Sequence, residues 1–309
     1  RANRPRWGVP ELPEVETVVR DLRPLVVGRR IEGVRVGPLA LRKPWMRGWG
    51  RRLRGRRVEA VRRRGKWIML DLDDGARLVF HLGMTGQLTV TPTDAPVPGH
   101  THLKLVLGGG GQLRFRDVRR FGSATWFPDE DRLAAFFAAS GLGPEPFGLD
   151  PHDWRGRLAK AKRPLKALLL DQTVLAGVGN IYADEALFEA RLHPARVAAT
   201  LGAREAERLR QAVETVLNRA IERRGSSIRD YVGGAGRKGA MQKEFRVYGR
   251  TGKPCPRCGT PVERVRLAGR STHCCPACQQ RPSFSRDPKG SVAGSAPLRV
   301  AAKRTSPEG

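Results

Sequence analysis

Pro10-Glu11-Leu12-Pro13-Glu14-Val15-Glu16-Thr17 reads as the opening of a helix. Val15, Val18, Val19 and Leu22 recur at helical spacing, and Pro13 suits a first turn, where a missing N–H removes no bond. Glu11 and Glu14 fall where a helix start favours acids, which by itself accounts for both. Pro24 and Gly28 are expected to close this helix.

Downstream, from Ile31 to Phe127, the pattern changes to that of strands. Trp67–Leu72 and Arg77–Phe80 flank an Asp73-Asp74-Gly75 turn, and His102–Leu107 and Gln112–Phe115 flank a glycine run. Repeated short strands joined by turns predict a β-sandwich. A helix over Asp131–Ala139 follows, then the Gly/Pro-rich joint Gly141-Leu142-Gly143-Pro144-Glu145-Pro146. Helices are expected from Pro164 to Leu170, from Asn180 to Ala190, and over Arg204–Arg223, the last ended by Gly225. The expected fold class is α+β: a β-sandwich with flanking helices over 10–140, a linker over 141–156, and a helix–two-turn–helix domain over 157–244. A zinc-finger β-hairpin over 245–281 and a disordered basic tail over 282–309 complete it.

Composition narrows the partners. Lys plus Arg total 58 against 30 Asp plus Glu, a net charge of +28 in 309 residues. Such an excess favours a polyanion, nucleic acid before membrane, although a general bias towards arginine would inflate it too. No apolar stretch is long enough to span a bilayer. All five cysteines fall between Cys255 and Cys278, which points to a metal site in a reducing compartment rather than to a disulfide framework.

Cys255-x2-Cys258-x16-Cys275-x2-Cys278 has the spacing of two knuckles that enclose one Zn²⁺ tetrahedrally. All four ligand positions are filled, so the metal reads as structural. Cys274 is the spare thiol, and His273 is a weaker alternative ligand. Between the knuckles, Ala268-Gly269-Arg270 would place Arg270 at a hairpin tip, either solvated or against a phosphate. Gly177-Val178-Gly179-Asn180 precedes a helix and is either a phosphate seat or a tight turn capped by Asn180. Met84 and the run Arg119-Arg120-Phe121-Gly122 lie at strand-to-loop junctions. They are core residues or else wedges that fill the gap left by an extruded base. Lys66 begins a strand and, read alone, is an exposed lysine.

Taken together and in order, PELPEVET, RRRGKW, HLGMTG, DVRRFGSATW, GVGNIYADEALF, VYGR and CPRCG…AGRSTHCCPACQ resemble the formamidopyrimidine-DNA glycosylase/endonuclease VIII family over about Pro10–Gln279. The resemblance implies a bacterial cytoplasmic base-excision repair enzyme. Its substrate would be damaged duplex DNA, and it would be a monomer carrying one structural zinc and no organic cofactor. It implies that Pro10 attacks the sugar C1′ to form a Schiff base, while Glu11 protonates the deoxyribose ring oxygen. Lys66, Asn180 and Arg270 would clamp phosphates around the lesion, with Lys66 and Arg270 also counted in the catalytic set. Met84, Arg119 and Phe121 would fill the void in the stack. Lys166 and His100 would contact DNA, and Glu14 would lie beside the catalytic pocket.

Leu12 is similar to the purine-excising branch, whereas the pyrimidine-excising branch usually has glycine there. The segment between Ser227 and Phe245 resembles the flap that closes over an everted 8-oxoguanine. The implied activity is therefore removal of oxidised purines followed by β,δ-elimination. Alternatives are an endonuclease VIII-like pyrimidine glycosylase or a non-catalytic DNA-binding protein. The last would follow if Pro10 stayed acylated by Val9, because an amide nitrogen has no basic lone pair. A reading frame over-extended at residues 1–9, with initiation at Val9 and its removal, would free the amine.

Overall fold

The structure, a computed structural model, describes residues 9–281 apart from 40, 42–47, 228–232 and 237. Residues 1–8 of the expected leader, the expected basic tail over 282–309, and residues 228–232 and 237 of the expected flap lie outside the described residues. Contacts divide the chain into two compact units. The first holds the described residues up to Gly148 with Gln172–Gly179 and Leu217–Glu244; the second holds Leu149–Asp171, Asn180–Val216 and the described residues from Phe245.

In the first unit, helix α1 (Leu12–Val26) precedes β1 (Ile31–Val36), a short α2 (Trp49–Leu53) and seven further strands. These are β2 (Val58–Arg64), β3 (Trp67–Leu72), β4 (Arg77–His81), β5 (Gly86–Thr91), β6 (Thr101–Leu107), β7 (Gln112–Asp117) and β8 (Ser123–Phe127). They form two antiparallel four-stranded sheets, ordered β1-β6-β7-β5 and β2-β3-β4-β8. The expected sandwich is present, and its core draws Val61, Leu70 and Phe80 from one sheet and Leu88, Leu105 and Phe115 from the other. α1 buries Val15, Val18, Val19 and Leu22 in the same cluster, the stripe its spacing predicts. Pro24 does not close α1. It lies within the last turn, and the helix ends at Val26 with the Val27 N–H donating to the Arg23 carbonyl. Helix α3 (Glu130–Ala139) covers β8, with the Asp129 side chain accepting from the Arg132 N–H as its cap.

The second unit contains α4 (Pro151–Ala159), α5 (Leu165–Leu170), α6 (Asn180–Glu189) and the N-terminal part of α7 (Ala203–Glu222), followed by the hairpin of β9 (Glu263–Leu267) and β10 (Arg270–Cys274). Helix α4 corrects the expectation of a linker over 141–156. Asp150 caps it, Pro151 opens it, and Trp154 is buried with its indole N–H donating to the Ala206 carbonyl. The cap signal was overshadowed by the Gly/Pro run just before it. Every residue of α6 from Ile181 to Phe188 is buried, and within that run the only charged residues are Asp184 and Glu185.

Candidate active site and nucleic-acid interface

Pro10 is buried immediately before α1, and Glu11 is the N-cap residue in extended conformation. The Glu11 carboxylate accepts the Gly179 N–H at 2.8 Å, while the Leu12 N–H donates to the Gly177 carbonyl at 3.0 Å. The Gly-x-Gly run is thus committed to the start of α1, not to an anion. A Cβ at either glycine would force a neighbour to move. A Cβ on Gly179 would lie 2.4 Å from the Glu11 Cδ, and one on Gly177, whose φ is +89°, would lie 2.6 Å from a Leu12 methyl. Glu14 is equally enclosed. Its carboxylate accepts the Glu11 N–H at 3.0 Å, the Ser226 N–H at 2.7 Å and the Ser226 hydroxyl at 3.0 Å. Two carboxylates therefore lie one turn apart at a positive helix end, each held by backbone donors from later in the chain.

Lys66 and Gly65 form the turn between β2 and β3. Glu145, from the Gly/Pro joint, accepts the Gly65 N–H and pairs with Arg63 at 2.7 Å and Arg64 at 3.2 Å. A Cβ on Gly65 would meet the Ala176 methyl at 3.2 Å, so this turn rests on the same stretch that carries Gly177 and Gly179.

Met84 and the Arg119–Phe121 loop are brought together by a residue the sequence reading passed over. Asp117 is fully buried at the end of β7. Its carboxylate accepts the Thr85 hydroxyl at 2.5 Å, the Gly122 N–H at 2.7 Å and the Arg119 N–H at 3.2 Å. Gly83 and Gly122 touch backbone to backbone, since a Cβ on Gly83 would sit 2.5 Å from the Gly122 nitrogen. Met84 is half-buried, Phe121 is 42% exposed, and the Arg119 guanidinium stacks 4.8 Å over the Phe121 ring. An exposed phenylalanine beside an arginine lies outside the core, so of the two readings of Phe121 the core one does not hold. His100 lies on the same rim: it is exposed at φ +63°, and its carbonyl accepts the Asp117 N–H. His81, also passed over, ends β4 with Nδ1 accepting the Gly83 N–H at 3.1 Å and its ring 4.7 Å from that of Trp67.

In the second unit, Lys166 is fully buried rather than at the surface. Its ammonium donates to the Asn180 carbonyl at 2.7 Å and pairs with Asp184 at 2.6 Å. A direct phosphate contact needs an accessible ammonium, and here the ammonium is enclosed by the Asn180 carbonyl and Asp184. Asn180 begins α6 as a helical residue, and its side-chain NH₂ donates to the Ser271 carbonyl at 3.1 Å. Arg270 is exposed at the start of β10. The two-residue turn Ala268-Gly269 has both φ values positive, +47° and +71°, which is the type I′ geometry of a tight hairpin. The expected hairpin tip is present.

Four sulfurs, of Cys255, Cys258, Cys275 and Cys278, lie within 4.8 Å of one another. The Arg257 and Cys278 N–H groups each donate at 3.4 Å to the sulfur of Cys255 and Cys275, respectively, as knuckle turns do. This donor set fits one tetrahedral zinc ion. A hydrogen bond with the Thr260 hydroxyl draws the Cys258 thiol down to about 6, whereas burial pushes Cys278 up to about 12. A divalent cation overcomes the second effect by binding the thiolate. Cys274 is turned into the protein, fully buried, and burial raises its thiol to about 12. His273 packs against Asp184 and the Tyr248 ring, outside the sulfur cluster. Glu185 accepts the N–H groups of Arg246, Val247 and Tyr248 at 2.8–3.0 Å, fastening the VYGR segment to α6, although burial raises its carboxyl. The signal for Asp184 and Glu185 was visible: two adjacent acids in an otherwise apolar helix demand buried partners.

Three sequence families match in succession. The formamidopyrimidine-DNA glycosylase N-terminal domain covers residues 9–124, the H2TH domain of the same enzymes covers 142–232, and the zinc finger found in FPG and IleRS covers 252–281. The formamidopyrimidine-DNA glycosylase of Thermomicrobium roseum is 47% identical over 88% of this chain and 99% of its own length. That of Heliobacterium modesticaldum is 48% identical over 88% of this chain and 100% of its own. Among solved structures, a Lactococcus lactis FPG mutant bound to Fapy-dG-containing DNA superposes with a TM-score of 0.82 at 37% identity. The L. lactis enzyme with abasic-site DNA does so equally, each match covering 88% of this chain and 100% of the other.

Proposed function

We propose, from the premise that this chain belongs to the formamidopyrimidine-DNA glycosylase family, that it excises oxidised purines from duplex DNA with Pro10 as nucleophile. As a member of that family it is a base-excision repair glycosylase, and lyase activity at the abasic site goes with the family. The L. lactis complexes, one with Fapy-dG and one with an abasic site, bracket the reaction from substrate to product. The observation that carries our reading for this chain is the enclosed pair Pro10–Glu11, with the Glu11 carboxyl held at 2.8 Å by the Gly179 N–H.

The chemistry follows from those groups. The proline amine donates its lone pair to C1′, the bond from C1′ to the base breaks, and the base leaves with the electron pair and a proton. The proline nitrogen gives its proton to the departing base; Glu11 then protonates the ring oxygen, and the nitrogen lone pair expels it, which opens the sugar and yields an iminium cation. The iminium charge acidifies the neighbouring C–H; loss of that proton expels the 3′ phosphate, and a second such step expels the 5′ phosphate. An acylated nitrogen can do none of this, so the active chain begins at Pro10. Lys66, Arg270 and Asn180 hold the flanking phosphates, His100 adds to the grip, and Met84, Arg119 and Phe121 occupy the gap left by the everted base. The helix–two-turn–helix segment over 157–244 and the zinc hairpin over 245–281 supply the rest of the DNA surface. Cysteines gathered as zinc ligands rather than paired as disulfides among the described residues suit a reducing compartment such as the cytoplasm.

Borohydride trapping on an abasic duplex tests the nucleophile. A chain starting at Pro10 forms a covalent adduct, and one retaining Val9 does not; absence of adduct from the first overturns the proposal. Glu11→Gln separates the roles: it abolishes excision from an 8-oxoguanine duplex while sparing much of the cleavage at a pre-formed abasic site.

A further inference from the structure

A buried carboxylate joins three elements of the second unit at the place where two of the proposed phosphate contacts arise. Asp184 accepts the Lys166 ammonium at 2.6 Å through one oxygen. Through the other it accepts the His273 N–H at 2.9 Å and lies 3.0 Å from the His273 Nδ1. Lys166 belongs to α5, Asp184 to α6 and His273 to β10. From this hub the network runs outward in two directions. The Lys166 ammonium also fixes the Asn180 carbonyl at 2.7 Å, and the Asn180 amide fixes the Ser271 carbonyl at 3.1 Å, next to Arg270 in the chain.

The location is energetically unusual. Lys166 and Asp184 are both 0% exposed, inside a helix pair otherwise lined with Leu165, Leu168, Leu169, Ile181, Ala183 and Leu187. Desolvating two charges offsets most of their attraction, and apolar residues of similar size commonly stabilise such a site as well or better. What apolar contacts cannot supply is direction. Five bonds of 2.6–3.1 Å set the start of α6 and the Ser271–His273 stretch of β10 in one register, whereas leucine packing tolerates sliding.

We infer that Asp184, with Lys166 and His273, is a positioning residue for DNA binding: it fixes Asn180 and Arg270 in the spacing of adjacent phosphates. This rests on the proposed phosphate roles of those two residues. Lys166, Asp184 and His273 themselves touch neither substrate nor the reacting atoms; they act through Asn180 and Arg270.

The test uses the full, zinc-loaded chain with Lys166→Met/Asp184→Leu, which removes both charges together and leaves no buried orphan, and with Asp184→Asn as a milder variant. A duplex containing a tetrahydrofuran abasic analogue serves as probe. We expect unchanged zinc content and thermal midpoint, a Kd raised about tenfold, and a salt slope reduced by about one unit. A folded, zinc-loaded double variant with parental Kd and slope overturns the inference, as does loss of fold or zinc in both variants, which would assign the network to stability. Arg270→Ala runs alongside. If it leaves the slope unchanged, the phosphate reading itself fails; if it lowers the slope while the double variant does not, only the positioning role fails.

Discussion

Replacing Gly179 by alanine tests the active-site geometry with a single methyl group. Gly179 lies outside the left-handed region, so alanine adds no backbone strain, unlike at Gly177. The new Cβ would stand 2.4 Å from the Glu11 Cδ and 2.6 Å from its Cγ and Oε1, well inside van der Waals contact. Because the carboxyl is the free end of a side chain, it yields by swinging away, and the 2.8 Å bond from the Gly179 N–H is lost. Displacing a catalytic group by about 1 Å lowers the rate on the order of 100-fold, equivalent to about 2.7 kcal/mol in the barrier. The stability change is smaller. Alanine gains about 0.4–1 kcal/mol through the unfolded chain, while the lost charge-assisted bond costs about 1.5–3 kcal/mol. The assay is single-turnover excision from an 8-oxoguanine duplex, set beside strand cleavage of a pre-formed abasic duplex. Excision should fall about 100-fold and lyase activity much less, since Pro10 is not displaced. Parental excision by a folded Gly179→Ala chain would show that the Glu11 position is irrelevant to the reaction.

Asp117→Ala strands three donors between the Met84 and Phe121 loops. It should lower stability by about 2–4 kcal/mol, read from the urea midpoint, and depress excision with it; an unchanged midpoint would deny the carboxylate its role. Stripping zinc, or Cys258→Ser, should unfold the β9–β10 hairpin and weaken duplex binding while the sandwich still melts cooperatively, with one zinc released per chain. Duplex binding that survives chelation would contradict this. His193 is held at about 4 by burial and, to a lesser extent, by Arg281. Its neutral form is native, so its contribution is complete above pH 6.5 and is lost as pH falls from 6.5 towards 4, by about 3 kcal/mol in all. The stability gap between the parent and His193→Asn, followed by urea titration, should close over that window; a gap independent of pH would refute the assignment.

Much was legible in order along the chain. Period-two and period-3.6 patterns located the strands of the sandwich and the stripe of α1, because burial on one face imposes those spacings whatever the fold around them. The four-cysteine spacing announced the metal site for the same local reason, since a knuckle is built within a few residues. Helix α4 and the end of α1 were misjudged where Pro and Gly signals competed with caps only a residue or two away.

What the linear text could not determine was which polar groups would find each other. The glycines of Gly177-Val178-Gly179 look like a phosphate seat in sequence, yet across 168 positions the fold spends the Gly179 N–H on Glu11. Lys166 looks like a surface cation and is buried against Asp184; Asp117 looks like an ordinary acid and ties separate segments together, and the apolar run around Asp184 shows that it needs a partner but not which one. Periodicity records how a residue faces its own element, and that much the amino-acid sequence determined by itself. The partner of a buried charge is set by the three-dimensional approach of distant segments, because low dielectric makes an unmatched group intolerable and only tertiary packing decides who supplies the match.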